Sequence, residues 1–150
     1  MSVYDETQQF VLFKIANQLY GIDIQTVQII ERVKSTMRVP KTARWIKGVL
    51  NLRGEIIPVI DLAILFGVEE REITESARII IVKVEEMMVG FIVNSVKEVV
   101  NLDTENVEGA PSVQGKLNSQ YIQGVGKIEG EEAIVTLLNL SAIIDEAFQV

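Results

Sequence analysis

The 150-residue chain contains no cysteine and no histidine. Without histidine it has no imidazole acid/base relay, no phosphohistidine and no imidazole metal ligand. Without cysteine it has no thiol nucleophile, no thiolate zinc site and no disulfide framework, so nothing in it needs an oxidising compartment. Proline is scarce, with three residues, and tryptophan occurs once. Basic residues are also in deficit: 14 Lys and Arg stand against 21 Asp and Glu, a net charge of −7. They are scattered among the acids, whereas a phosphate-binding surface needs them clustered, so nucleic acid is not an expected partner. Long apolar runs are missing too. The stretch 56–65 is interrupted by Pro58 and Asp61 and is too short to cross a bilayer. The opening Met1-Ser2-Val3-Tyr4-Asp5-Glu6 lacks the basic and apolar regions of a signal peptide. These absences point to a cytoplasmic protein with no direct membrane insertion.

What is present is Val, Ile and Leu in short runs cut by Gly, Asn, Glu and Asp, within a chain that is 48% hydrophobic. That pattern predicts many strands, at 9–15, 19–24, 28–33, 49–52, 55–60, 79–84, 87–93, 97–102, 124–127 and 133–138. Turn signals fall at Ala16-Asn17-Gln18, Leu52-Arg53-Gly54-Glu55, Glu85-Glu86 and Glu129-Gly130. Short helices are expected at 41–47, stopped by Gly48, at 61–66, capped by Asp61, and at 140–148, capped by Asn139. Two segments, 68–77 and 103–119, read as long loops.

An internal repeat organises these elements. Tyr20-Gly21-Ile22-Asp23-Ile24 with Val27 corresponds to Val89-Gly90-Phe91-Ile92-Val93 with Val96, each position 69 later, and Lys14 falls on Lys83. Further on, Ile46-Lys47-Gly48-Val49 corresponds to Ile122-Gln123-Gly124-Val125 and Gly54-Glu55 to Gly130-Glu131. After a two-residue insertion, Ile56 and Asp61-Leu62 correspond to Ile134 and Asn139-Leu140. About five short strands per half suit a small closed barrel, which removes exposed sheet edges. The expected fold is therefore all-β with a few short helices. It comprises two similar small barrels, residues 9–70 and 78–148, split near 68–77 and packed across an apolar seam within one 150-residue domain.

Catalytic chemistry is hard to find. No Walker loop or dinucleotide fingerprint occurs, no histidine is available to activate Ser or Thr and no spacing supports a Ser–Lys pair, and no cofactor or metal site is indicated. The carboxylate pairs Glu69-Glu70, Glu85-Glu86 and Glu131-Glu132 read as solvated acids, and Asp103-Thr104-Glu105 lacks the periodicity of a calcium loop. Three features allow partner binding. Arg53 at a hairpin tip is either a solvated turn cation or a rigidly held guanidinium for a partner carboxylate or carbonyl; its repeat position is Glu129. Around Val27-Gln28-Ile29-Ile30, strand alternation sends Ile29 to one face and Gln28 with Ile30 to the other, so the strand is either buried on both sides or lines a groove. Trp45 is either a core plug or a binding hot spot.

Taken in order, Phe10-Val11-Leu12-Phe13, Tyr20-Gly21-Ile22-Asp23-Ile24, Val27-Gln28, Val39-Pro40, Ile46-Lys47-Gly48-Val49, Asn51-Leu52-Arg53-Gly54, Ile57-Pro58-Val59-Ile60-Asp61-Leu62 and Val89-Gly90-Phe91-Ile92-Val93 resemble the CheW chemotaxis coupling proteins. The resemblance runs from about Gln9 to Phe148, and the block from Ile46 through Leu62 is its most specific part.

It implies two five-stranded SH3-like barrels and a non-enzymatic adaptor linking transmembrane chemoreceptors, the methyl-accepting chemotaxis proteins, to the histidine kinase CheA. The chemoreceptor cytoplasmic tip would enter an inter-barrel groove, and the CheA regulatory domain would meet exposed apolar residues at the barrel ends. The protein would be recruited to membrane-associated receptor arrays, with self-association there left open. By motif, Arg53 and Val27 belong to the receptor-binding groove, joined by Ile30 and by Val96 and Val99, the repeat positions of Val27 and Ile30. Gly48, Ile79 and Gly90 would support the interface structurally, the glycines through close backbone approach. One departure stands out: relatives commonly carry an acid where this chain has Ile29, so Arg53 needs Glu31 or Glu55 as a substitute or is free for a partner. A scaffold in a different receptor–kinase pathway is the alternative, and a carboxylate-dependent hydrolase a third.

Overall fold

A computed structural model describes residues 7–33, 36, 43–68, 73–103, 107–108, 119–128 and 133–149. Eleven strands and two short α-helices account for most of them: β1 (Thr7–Ile15), β2 (Gln18–Asp23), β3 (Val27–Arg32), β4 (Ile46–Leu52), β5 (Glu55–Asp61), α1 (Leu62–Leu65), β6 (Arg78–Val84), β7 (Met87–Val93), β8 (Ser95–Asp103), β9 (Val107–Glu108), β10 (Ile122–Lys127), β11 (Ile134–Leu138) and α2 (Leu140–Ala147). The hairpins β1–β2, β4–β5 and β6–β7 each close through two residues, as Ile15↔Gln18, Leu52↔Glu55 and Val84↔Met87 show. The fourth expected turn, Glu129-Gly130, lies outside the described residues.

The strands form a six-stranded sheet ordered β8-β1-β2-β11-β10-β9 and a five-stranded sheet ordered β3-β6-β7-β5-β4. These orders correct the expectation that each half of the chain builds its own barrel. Hairpin β6–β7 of the second half sits between β3 and β5 of the first, and β1–β2 of the first half sits between β8 and β11 of the second. The reason lies in Phe10-Val11-Leu12-Phe13 and Ile79-Ile80-Ile81-Val82, which are apolar on both faces. Strands of that kind need cover on both sides, which a central position in a sheet facing another sheet provides.

The exchange preserves the repeat in the pairing register itself. Val59↔Gly90 in the parallel pair β5–β7 has its counterpart in Leu137↔Gly21 of β11–β2. Ile30↔Ile80 likewise corresponds to Val99↔Val11.

Three apolar clusters result. Leu50, Ile57, Val59, Ile79, Ile81 and Ile92 fill the inside of the five-stranded sheet, and Phe10, Leu12, Leu102, Val135 and Leu137 that of the six-stranded one. The largest lies between the sheets and takes Val11, Phe13, Ile15, Tyr20 and Ile22 from one and Ile60, Ile80, Val82, Val89, Phe91 and Val93 from the other. An aromatic row crosses it, with ring centroids 6.0 Å apart for Phe13–Tyr20, 5.4 Å for Tyr20–Phe66 and 5.8 Å for Phe66–Tyr121. At about 1.5–3 kcal/mol for each large side chain fully buried, this seam is the main cohesive element.

Both closing helices are capped as expected. Asp61 Oδ1 accepts from the Ala63 and Ile64 amides at 3.0 and 3.3 Å, and Asn139 Oδ1 from the Ala142 amide at 3.1 Å. The expected helix at 41–47 is not found where it can be followed. Residues 41–42 lie outside the described set, Arg44 and Trp45 form a turn, and Ile46 and Lys47 already belong to β4. Gly48 has φ 139° and follows a bulge between Ile46 and the Gly48 pairing, so it serves the strand rather than a helix end. The Trp45 carbonyl accepts from the Asp61 amide at 2.7 Å, and its indole Nε1 donates to the Ala147 carbonyl at 2.9 Å. With its ring packed on the seam, Trp45 is a structural tie between α2 and the start of β4. Within 103–119, expected as loop, the short strand β9 pairs with β10.

Candidate docking surfaces

Strand β3 is an edge strand whose path is set by a bulge. It pairs Val27 with Val82 and then Ile29 with Ile81, leaving Gln28 as the extra residue. Val82 belongs to the seam cluster and Ile81 to the interior of the five-stranded sheet. Val27 therefore packs toward the seam and Ile29 toward the interior, although regular alternation would put them on one face. Ile30, opposite the seam residue Ile80, returns to the seam side and remains 41% exposed.

Strand β8 repeats this arrangement. Val96 pairs with Phe13 and Glu98 with Leu12, so Lys97 is the extra residue. Val96 packs on the seam cluster, and Val99 lies opposite the seam residue Val11 with 48% exposure. Thus Val27 with Ile30, and Val96 with Val99, occupy equivalent seam-side positions on the two outer strands. The bulges were not anticipated, but a signal for them exists. Apolar residues three apart cannot share a face of a regular strand, and the spacing occurs at both repeat positions.

Arg53 lies elsewhere. It heads the two-residue turn with φ 53°, followed by Gly54 at φ 87°, and the Asn51 Oδ1 accepts from the Gly54 amide at 3.1 Å. Two consecutive positive φ angles define the tight hairpin turn whose twist matches the flanking strands, so the guanidinium is presented from a fixed base. Arg53, Gln28, Ile29, Leu52, Glu55, Lys83 and Met88 line an open groove of ≈ 360 Å³ at the mouth of the five-stranded sheet. Ile29, Leu52 and Met88 form its apolar floor, continuous with the interior cluster. Of the two acids expected to replace the one absent at Ile29, Glu55 lines this groove, whereas Glu31 is half-buried on β3 opposite Ile79. Arg53 has no ion-pair partner among the described residues; Lys83 approaches Glu86 at 4.0 Å, with both side chains well exposed. Such a solvated contact contributes little. Glu129, the repeat position of Arg53, lies outside the described residues.

The three support positions are internal. Ile79 is fully buried, and a Cβ built on Gly90 would lie 2.9 Å from its Cγ2. Gly48 is buried, and its φ of 139° is one that L side chains rarely adopt. Six large apolar side chains are exposed among the described residues, and four of them form repeat-related pairs, Ile30 with Val99 and Ile56 with Ile134.

A family model described as the CheW-like domain matches residues 9–148. The chain belongs to the CheW-like family. It is 35% identical to the chemotaxis protein CheW of Klebsiella aerogenes over 128 residues, covering 85% of this chain and 76% of that protein. It is 32% identical over 141 residues to the chemotaxis protein CheW of Treponema pallidum, covering 91% and 82%. Among solved structures it is similar to the scaffolding protein TtCheW of Thermoanaerobacter tengcongensis, with a TM-score of 0.82, 34% identity and 88% of each chain covered. The mostly-β CheW-like architecture anticipated from the sequence is therefore the fold observed. No helix among the described residues is long and apolar enough to cross a membrane.

Proposed function

We propose that this chain is a cytoplasmic, non-enzymatic adaptor that couples transmembrane chemoreceptors to the histidine kinase CheA in bacterial chemotaxis, recruited to receptor arrays at the membrane. The receptor tip lies along Val27, Ile30, Val96 and Val99, while the kinase regulatory domain binds through another surface. Arg53, the polar residue expected in the receptor set, is exposed to a partner at the neighbouring groove.

The observation that carries this reading is the duplicated bulge, which sets two equivalent aliphatic pairs on the seam side of the two outer strands. A partner covering both pairs must itself present two similar apolar faces. An antiparallel helical hairpin does so, because an amphipathic helix buries its stripe in an apolar groove and the second helix repeats it. The groups that this task requires are rigid and aliphatic, and a chain without histidine supplies them without loss.

Titration of the purified protein against a receptor cytoplasmic-tip hairpin and, separately, a CheA regulatory domain from the same cell tests the proposal. Binding to both is expected, with Ile30→Asp and Val99→Asp each weakening the hairpin by about tenfold or more, since a buried charge is penalised. Absence of binding to both by folded protein would remove the coupling role.

A further inference from the structure

We infer that Pro58 is a ladder stop: it ends the parallel pairing of β5 with β7 one rung short and keeps the two strands from zipping together toward the open end of the five-stranded sheet. The stop needs no partner and stands apart from the adaptor reading.

The direction of each backbone group on β5 follows from its hairpin. Leu52↔Glu55 flanks a two-residue turn and is therefore a hydrogen-bonded pair. Bonded and non-bonded pairs alternate along an antiparallel ladder. Glu55, Ile57 and Val59 thus turn their backbone groups to β4, while Ile56, Pro58 and Ile60 turn theirs to the β7 side. On that side the pairing begins at Val59↔Gly90, a rung that uses the Pro58 carbonyl and the Ile60 amide. One rung further out, an amide at position 58 would donate to the Met88 carbonyl. Proline has no amide to give.

The six-stranded sheet supplies the comparison within the same molecule. There the Ile128 amide donates to the Ala133 carbonyl at 3.3 Å, which sets the same alternation and turns Ile134 and Thr136 to the β2 side. The repeat sets Thr136 on Pro58 and Leu19 on Met88. Thr136 keeps its amide, and the β11–β2 pairing begins at Thr136↔Tyr20. That is one step before Leu137↔Gly21, the counterpart of Val59↔Gly90. Both positions are half-buried, so burial does not distinguish them. What differs is the donor. Beyond the stop, Glu55 of β5 and Met88 of β7 both line the open groove of ≈ 360 Å³, as strands that have parted would.

Hydrogen exchange followed by NMR on the full chain tests the stop. The variant is Pro58→Thr, which supplies the residue found at the repeat position. The amide introduced at position 58 is expected to exchange about tenfold or more slowly than an exposed amide, at any protein concentration, with new contacts to Met88 and Val89. Free exchange at that amide would mean that β5 and β7 part for another reason, and the inference fails. Slowing that grows with protein concentration would mean that the new donor pairs with a second chain, which also overturns the stop. The reverse variant, Thr136→Pro, keeps the inference open to refutation should the first fail to fold. It should make the Gly21 and Leu138 amides exchange about tenfold faster and leave those of Gly90 and Ile60 as they are. Unchanged exchange at Gly21 and Leu138 would count against a proline stop.

Discussion

The two sheets share a frame and differ at their mouths. Each has an exchanged hairpin at its centre, a parallel pair beside a glycine, a bulged outer strand and a capped helix at its close. Where those features bury surface, the halves agree in residue type: Gly21 with Gly90, Phe13 with Val82, Val11 with Ile80. At the mouths they part in charge, so that Ile29 faces one groove while Glu98 takes the matching position in the other sheet, whereas the exposed pairs Ile30 with Val99 and Ile56 with Ile134 still agree. Packing constrains a duplicated fold from inside, since each buried position has fixed neighbours. A mouth has none until a partner arrives, and its charge can change without loss of the frame.

The largest test of this comparison is the seam, which draws on both sheets. Phe91→Ala should cost about 3–5 kcal/mol in denaturant unfolding, with both sheets lost in one transition. Two separate transitions would show the barrels to be independent. Alkali reaches the same region. Burial raises the pKa of Tyr20 above its ordinary 10.0, and burial with the nearby Glu146 carboxylate raises that of Tyr121. The folded state therefore holds these protons more tightly, so the stability they contribute is intact below pH 10 and declines as pH rises through the folded values.

Next come the paired glycines. A methyl on Gly90 meets the β-branch methyl of Ile79 at 2.9 Å, whereas one on Gly21 meets Leu137 Cδ2 at 3.0 Å, Val135 Cγ1 at 3.1 Å and Leu12 Cδ2 at 3.2 Å. Both Ala variants should lose about 1–3 kcal/mol. Adding Ile79→Leu, which removes the β-branch, should restore part of the Gly90→Ala loss and none of the Gly21→Ala loss, a coupling readable by a double-mutant cycle.

A smaller effect sharpens the comparison of hairpins. The β4–β5 turn places Gly54 at positive φ, whereas β6–β7 places Glu85 and Glu86 there, at φ 50° and 71°. Glu86→Gly should raise thermal stability by about 1 kcal/mol, because glycine relieves the left-handed penalty. The smallest change is Arg53→Ala, expected to stay within about 0.5 kcal/mol of the parent in unfolding while reducing partner affinity. A large stability loss would make Arg53 structural.

Much of the architecture was legible in the chain. The tight turns, both helix caps and the repeat follow from local chemistry, because turn geometry, capping and alternation act within a few residues. The start of β4 was misread because Gly48 after an apolar run is an equally good helix stop and bulge residue, and only pairing with β5 decides between them. The sites were half legible. The resemblance named Val27, Ile30, Val96, Val99 and Arg53 as one set, but their placement on the seam side or at the groove depends on bulges that a regular period cannot show.

By itself, the sequence determined the class: a chain without histidine or cysteine, rich in β-branched residues and repeated, with an arginine on a tight turn. Those traits are intrinsic to residues and their near neighbours. Which half lends its hairpin to which sheet, which faces close into the seam, and which residues remain open to a partner were decided only in the tertiary structure. The offsets of the repeat are equally compatible with barrels built within each half and barrels built by exchange. Burial of hairpins apolar on both faces chooses exchange, because only there does each face meet another apolar surface.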